Sequence, residues 1–363
     1  MLLWILLITA VACESEEILD NKEPADLQVE ITPDPEISGK VLIEASADNA
    51  EEYQLRIGQD QEPVETNTDG LFEYTFEISG LFNIDVRAYG SSGRYLRKEI
   101  PYQVVIEQDS VPVGEGYTTP LSYDGYDLVW HDEFEGDKVN PEYWVFESGD
   151  GCPGLCGWGN NEMQYYREEN ARVADGVLTI EARREDFGGK RYTSARIKTE
   201  GKQSFQYGRI DIRALLPEGQ GIWPALWMLG NDIETVGWPR CGEIDIMEMI
   251  GGNSRENQVH GTLHWDSNGH ASAGGSYTKS SGTFADEYHV FSIIWDEAYI
   301  KWFVNDIQFH EILITPAHMT EFHQKFFFIF NVAVGGNWPG NPDESTTFPQ
   351  QMKVDYVRVF QEN

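Results

Sequence analysis

The chain has 363 residues, longer than one typical domain, so two domains are the natural expectation. Aromatic residues make up 13% of it, Gly is abundant and long helical patterns are few, which suits an all-β protein rich in turns. A formal net charge of −35 disfavours nucleic acid and heavily sulfated polysaccharide, both of which need clustered Lys and Arg, and leaves a neutral polymer or a cation as partner.

The N-terminus reads MLLWILLITAVAC, an apolar run that ends in small residues before Cys13. The run is too short to span a bilayer and fits a secretory signal. Its TAVAC ending resembles the bacterial lipoprotein signal, in which the Cys is lipidated and becomes the mature N-terminus. The acidic ESEE that follows is similar to the surface-export tethers of such lipoproteins. One departure is that no Lys or Arg precedes the apolar run. The resemblance implies a signal over residues 1–13 and a chain held at the outer membrane or cell surface by a lipid on Cys13. An ordinary cleaved signal would leave it secreted. The only membrane contact expected is the N-terminal lipid anchor of the lipoprotein reading.

Residues 14–26 are acidic, lack an apolar period and read as a flexible tether. Over 27–108, short alternating runs such as KVLIEA, YQLRI and FNIDVRAY are separated by turn residues, among them Asp69-Gly70 and GSSG. They predict a small β-sandwich of six or seven strands. The GLFNIDVRAYG segment resembles the late strands of PKD-like or immunoglobulin-like modules, which implies a spacer or accessory role. Residues 109–122 form a Pro/Gly/Thr linker.

From 123 to 363 the strands continue: GVLTIEAR, YGRIDIRALL, HVFSIIWD, YIKWFVND, KFFFIFNVAV and MKVDYVRVF. YIKWFVNDIQF reads as a hairpin turning at Asn305-Asp306. Such a length of strand can form two packed, curved sheets around a large core. With Cys13 lipidated, Cys152, Cys156 and Cys241 remain, so at least one thiol is free. Cys152 can pair with Cys156 inside CPGLC, and Cys241 is the alternative partner.

The stretch CGEIDIMEMIG carries the chemistry. Glu243, Asp245 and Glu248 sit in an apolar strand, between the aromatic segments GIWPALWML and HGTLHW. Sugar faces stack on indole rings, and paired carboxyl groups cleave a glycosidic bond with retention when they lie about 5 to 5.5 Å apart. A third acid between them can share a proton with the nucleophile and raise the acid's pKa. In a regular strand Glu248 would face away from Glu243 and Asp245. A β-bulge at Ile246 or Met247 returns it to their side.

GEIDIMEMIG resembles the catalytic signature of glycoside hydrolase family 16, in the Glu-x-Asp-x-x-Glu form of the bacterial laminarinases. LVWHDEFEG, WGNNEMQYY, ARIKTEGKQSFQYGRIDIRA, GIWPALWMLG, FNVAVGGNWPG and MKVDYVRVF are similar to further segments of that family, in its order. The resemblance implies a concanavalin-like β-jelly-roll sandwich and a retaining endo-acting enzyme for neutral β-1,3-glucan, working as a monomer without a catalytic cofactor. Glu243 becomes the nucleophile, Asp245 its helper and Glu248 the acid/base. Trp223, Trp227, Asn161, Arg196 and Trp338 become sugar contacts, and His264 a polar neighbour of the acid/base. His260 is expected to serve structure. A structural calcium is implied on the side away from the cleft, held by Asp355 and by backbone carbonyls near Glu133 and Gly176. Other family specificities, for mixed-linked glucan or a galactan, and a lectin-like binding role are the competing readings.

Overall fold

The computed structural model describes residues 22–34, 39–58, 62–76, 80–104 and 116–363. The expected signal, the expected lipidation site at Cys13, most of the expected tether and the first half of the expected linker lie outside the described residues. The chain divides into an N-terminal unit ending at Ile106 and a larger unit running from Glu107 to Asn363.

Among the described residues the N-terminal unit has seven strands: β1 (Ala25–Pro33), β2 (Lys40–Asp48), β3 (Glu52–Ile57), β4 (Glu65–Asn67), β5 (Leu71–Thr75), β6 (Gly80–Tyr89) and β7 (Tyr95–Val104). They form two sheets, ordered β1-β2-β5 and β4-β3-β6-β7. The period-two pattern sorts the side chains. On β2, Val41, Ile43 and Ala45 are buried while Leu42 and Glu44 are exposed. Ile43, Leu55, Phe72, Ile84 and Val86 form the centre of a single core between the sheets. The buried Asp85 carboxylate is paired with Arg87 and Arg97, each at 3.0 Å.

The larger unit continues with β8 (Tyr126–Asp132), β9 (Val145–Glu147), β10 (Gln164–Tyr166), β11 (Ala171–Ala174), β12 (Val177–Ala182), β13 (Tyr192–Ser194), β14 (Arg196–Lys198), β15 (Gly208–Leu215) and β16 (Ile222–Gly230). It is completed by β17 (Glu243–Glu248), β18 (Gln258–Asp266), β19 (His270–Thr278), β20 (His289–Trp295), β21 (Tyr299–Val304), β22 (Ile307–Leu313), β23 (Phe326–Val334) and β24 (Gln350–Glu362). An antiparallel seven-stranded sheet runs β19-β18-β17-β16-β23-β14-β9. An eight-stranded sheet runs β11-β12-β24-β15-β20-β21-β22, with β8 also paired to β24. Their facing sides share one core that includes Ile212, Leu226, Met228, Ile244, Leu263, Phe291, Trp302, Phe328 and Phe330. This is the jelly-roll sandwich that the sequence implied.

Local chemistry fits the elements. The β21–β22 hairpin turns at Asn305 and Asp306, both at positive φ (51° and 61°), the two-residue turn read from the sequence. Residues 116–121 of the expected linker are bound to the larger unit. Thr119 N donates to Tyr356 Oη at 2.8 Å, and Arg358 Nη1 donates to Thr119 O at 2.9 Å. Cys152 and Cys156 form a disulfide, and Cys241 is a buried free thiol.

Candidate active site

Strand register decides which side chains share the outer face of the seven-stranded sheet. On β16 and β17, Leu229 stands opposite Glu243, Trp227 opposite Asp245 and Ala225 opposite Glu248. Between these last two pairs, one residue of β16, Leu226, therefore stands against two of β17, Ile246 and Met247. On the other flank, Glu243 faces His264, Asp245 faces Thr262 and Glu248 faces His260, with the same shift. The extra residue is a β-bulge at Ile246–Met247, as expected from the spacing. Ile246 and Met247 are both buried in the core. All three acids consequently line the outer face.

The neighbours differentiate the acids. Trp238 Nε1 donates to Glu243 Oε2 at 2.8 Å, and Trp223 Nε1 donates to Glu248 Oε1 at 3.1 Å. Asp245 and Glu243 are close enough that each perturbs the ionisation of the other. His264 Nε2 lies 3.2 Å from Asp245 Oδ2 and 3.8 Å from Glu243 Oε1. Burial, followed by the Asp245 charge, pushes Glu243 up to about 8, while His264 and the Trp238 N–H oppose that rise. Burial also raises Asp245 to about 8. Glu248 is pushed well above its ordinary value by burial and then by the charges of Asp245 and Glu243. Burial thus raises all three carboxyl groups, and at both Glu243 and Glu248 the His264 ring and an indole N–H work against the rise.

These shifts carry a stability consequence. Raised carboxyl pKa values mean that the folded state binds more protons than the unfolded chain from about pH 4 to about 8. The contribution is present below the unfolded pKa and is lost as pH rises through the folded one. Asp245→Asn should therefore raise Tm at pH 7.5, by ~2–4 °C for each kcal/mol relieved, and change it little at pH 4. Thermal melts at the two pH values check this; a gain only at pH 4 would reverse the sign.

The expected sugar contacts converge on the same face. Arg196 stands opposite Asn331 on β23 and Glu147 on β9. Its guanidinium lies between the rings of Trp158 (4.7 Å) and Trp227 (4.9 Å) and pairs with Glu147 at 2.5 Å. Trp227 Nε1 donates to Asn331 Oδ1 at 2.8 Å. Trp223 packs edge-on against the exposed Trp338, with ring centroids 5.5 Å apart. Asn161 is exposed, and its Nδ2 donates to Asn337 Oδ1 at 2.9 Å.

The two histidines of HGTLHW divide between the acids, and the His264 charge also acts on Glu248. His264 neighbours Glu243 and Asp245, and it is His260 that stands opposite Glu248. The antiparallel register reverses the order: residues later on β18 pair with residues earlier on β17. The His260 ring packs against Trp338, with centroids 5.0 Å apart. Sequence reasoning missed Trp238, Asn331 and His270. His270 Nε2 lies 2.8 Å from His264 Nδ1 and its ring 4.6 Å from Trp238. Only the GWPRCGE context, with an indole just before the acids, offered a signal for Trp238.

Among the described residues, Glu243, Asp245 and His264 form the one group of three close enough to share a metal ion, their donor atoms lying within 4.8 Å. These groups already hold one another. At the expected calcium position, the Glu133 carbonyl lies 4.0 Å from where a Cβ on Gly176 would stand, so the two turns meet. Asp355 Oδ2 accepts from Arg213 Nη1 at 2.7 Å, and both Glu133 carboxylate oxygens accept from Arg358. The oxygens there suit a hard cation, but Arg213 already balances part of the Asp355 charge.

Carboxyl groups in different electrostatic settings, bordered by indoles on one face of a β-sandwich, define a glycoside hydrolase. The chain belongs to glycosyl hydrolases family 16, whose profile matches residues 158–358. It is 45% identical to a beta-glucanase of Rhodothermus marinus, over 65% of this chain and 85% of that protein. It is 43% identical to the clotting factor G alpha subunit of Tachypleus tridentatus over 65% of this chain, but spans only 34% of that larger protein. The catalytic domain of an endo-1,3-beta-glucanase (laminarinase) from Thermotoga petrophila is similar in structure, with a TM-score of 0.62 and 47% identity. That similarity covers 66% of this chain and 98% of the Thermotoga domain.

Proposed function

We propose that the larger unit is a retaining, endo-acting β-1,3-glucanase for laminarin-like glucan. The observation that carries this reading is the bulge at Ile246–Met247, which sets Glu248 beside Glu243 and Asp245 on a face bordered by Trp223, Trp227, Trp238 and Trp338. Glu243 attacks the anomeric carbon while the Glu248 O–H protonates the departing glycosidic oxygen. A glycosyl ester on Glu243 forms as the glycosidic bond breaks. Glu248, now ionised, takes a proton from water as the water oxygen bonds to that carbon and frees Glu243. The Asp245 carboxyl, close enough to perturb the ionisation of Glu243, holds the nucleophile and takes up part of its charge.

The substrate choice is tested by incubating the chain, without residues 1–13, with laminarin, mixed-linked glucan, agarose and carrageenan. Laminarin should release reducing ends fastest, and the first product anomer by NMR should be β. Fastest release from another polymer would move the specificity, and an initial α product would overturn retention. A second reading, mixed-linked glucan, draws on a relative named endo-1,3-1,4-beta-glycanase ExsH, 32% identical over 55% of this chain. A lectin-like role is opposed by the presence of all three carboxyl groups on the face.

The N-terminal unit is proposed as a PKD- or immunoglobulin-like spacer between a lipid anchor on Cys13 and a monomeric enzyme at the cell surface. The two-sheet sandwich supports that role. A structural calcium held by the Glu133 carbonyl, the Gly176 turn and Asp355 is proposed as well. Calcium should raise Tm by several degrees over the EDTA-treated protein, and Asp355→Asn should remove the increment. An equal increment in the variant would place the ion elsewhere.

A further inference from the structure

The acid register depends on a residue of the opposite sheet. Trp302, on β21 of the eight-stranded sheet, is fully buried. Its Nε1 donates to the backbone carbonyl of Asp245 at 2.8 Å. That carbonyl belongs to the last residue before strand pairing breaks on both flanks of β17. Across β18, Gly261 stands level with the bulge, between Thr262 and His260. A Cβ on Gly261 would lie 2.3 Å from Trp302 Cδ1 and 2.6 Å from its Nε1. The indole thus occupies the space a side chain would need, reaching the bulge from beneath.

We infer that Trp302 is a positioning residue for catalysis, whose indole N–H fixes the bulge and thereby keeps Glu248 on the same face as Glu243 and Asp245. The physical reason is the two-residue period. Without the bulge, a one-residue slip sends Glu248 toward the core and Met247 outward. A buried carbonyl is strongly favoured when it has a donor, so the Trp302 N–H stabilises the bulged register over the regular one. Gly261 is required because only a residue without a Cβ lets the ring lie there. The inference rests on the acid/base role proposed for Glu248.

The test is Trp302→Phe, which keeps a buried ring and removes the N–H, assayed well below its Tm. On the polymer that the wild-type chain cleaves fastest, kcat should fall about 10- to 100-fold with KM within about twofold. This choice of polymer separates the test from any error in the substrate reading. An aryl β-glycoside with dinitrophenol as leaving group needs little acid assistance, so kcat/KM for it should fall less than about threefold. Should Trp302→Phe not fold, Gly261→Ala displaces the same indole and should give the same split. Deleting Met247 supplies a second arm. It makes the spacing regular, so all three acids share a face without a bulge, and adding Trp302→Phe there should no longer lower kcat. Equal losses on polymer and aryl glycoside, or an undiminished Trp302→Phe effect after the deletion, would show a general structural role and overturn the inference.

Discussion

Glu243→Ser should lower kcat on glucan by about 10⁴- to 10⁶-fold while oligosaccharide binding, measured by calorimetry, stays within about threefold. The size follows from the step removed. No other carboxylate can form the glycosyl ester, because Glu248 is held protonated and Asp245 lies beside Glu243 rather than in its place. Binding persists because the indoles and Arg196 that border the face do not depend on the nucleophile. Azide added to this variant should occupy the space left by the carboxylate, attack once and yield an α-glycosyl azide. A variant retaining more than about 1% of activity, or giving a β-azide, would remove Glu243 from the nucleophile role.

Glu248→Gln should show the complementary pattern. Hydrolysis of glucan, whose leaving group is a sugar hydroxyl, should fall about 10²- to 10⁴-fold. Formation of the glycosyl-enzyme from a dinitrophenyl glycoside should persist, because that leaving group departs without a proton. Water attack should then be slow for want of a base, and azide should accelerate it, giving a β-glycosyl azide. The wild-type rate should also fall as pH rises past the elevated pKa of Glu248, since burial and the two neighbouring carboxylates set that limb. In Glu248→Gln the basic limb should disappear. Its persistence would assign that limb to another group.

Much of this was legible in the chain itself. The apolar runs marked most strands of the N-terminal unit and, in the larger one, β12, β15, β17 and β20 to β24, because a strand writes its faces into adjacent residues, whereas short or irregular strands such as β9, β13 and β14 carry too few residues to show a period. The spacing of Glu243, Asp245 and Glu248 called for a bulge, since residues three apart, such as Asp245 and Glu248, cannot share a side under a strict period of two. Asn305-Asp306 marked a turn because both residues tolerate positive φ. The indoles of Trp223 and Trp227 were named through the family resemblance, and the pairing of β16 with β17 came from the structure.

Other features depended on distance in space rather than along the chain. His264 stands opposite Glu243 and His260 opposite Glu248 because register, not proximity in sequence, chooses the cross-strand neighbour. Trp238 reaches Glu243 from the loop before β17, where no periodicity constrains its direction. Arg196 meets Glu147, 49 positions away in number (196 − 147), because β9 and β14 pair at one edge of the sheet. Trp302 touches the Asp245 carbonyl only because two sheets stack with Gly261 opposite the bulge. The sequence by itself determined the strands, the acids and the need for a bulge, since these follow from short-range period and residue chemistry. The tertiary structure alone decided which residues hold the acids in place, because that depends on strand order and on what the facing sheet presents at each point.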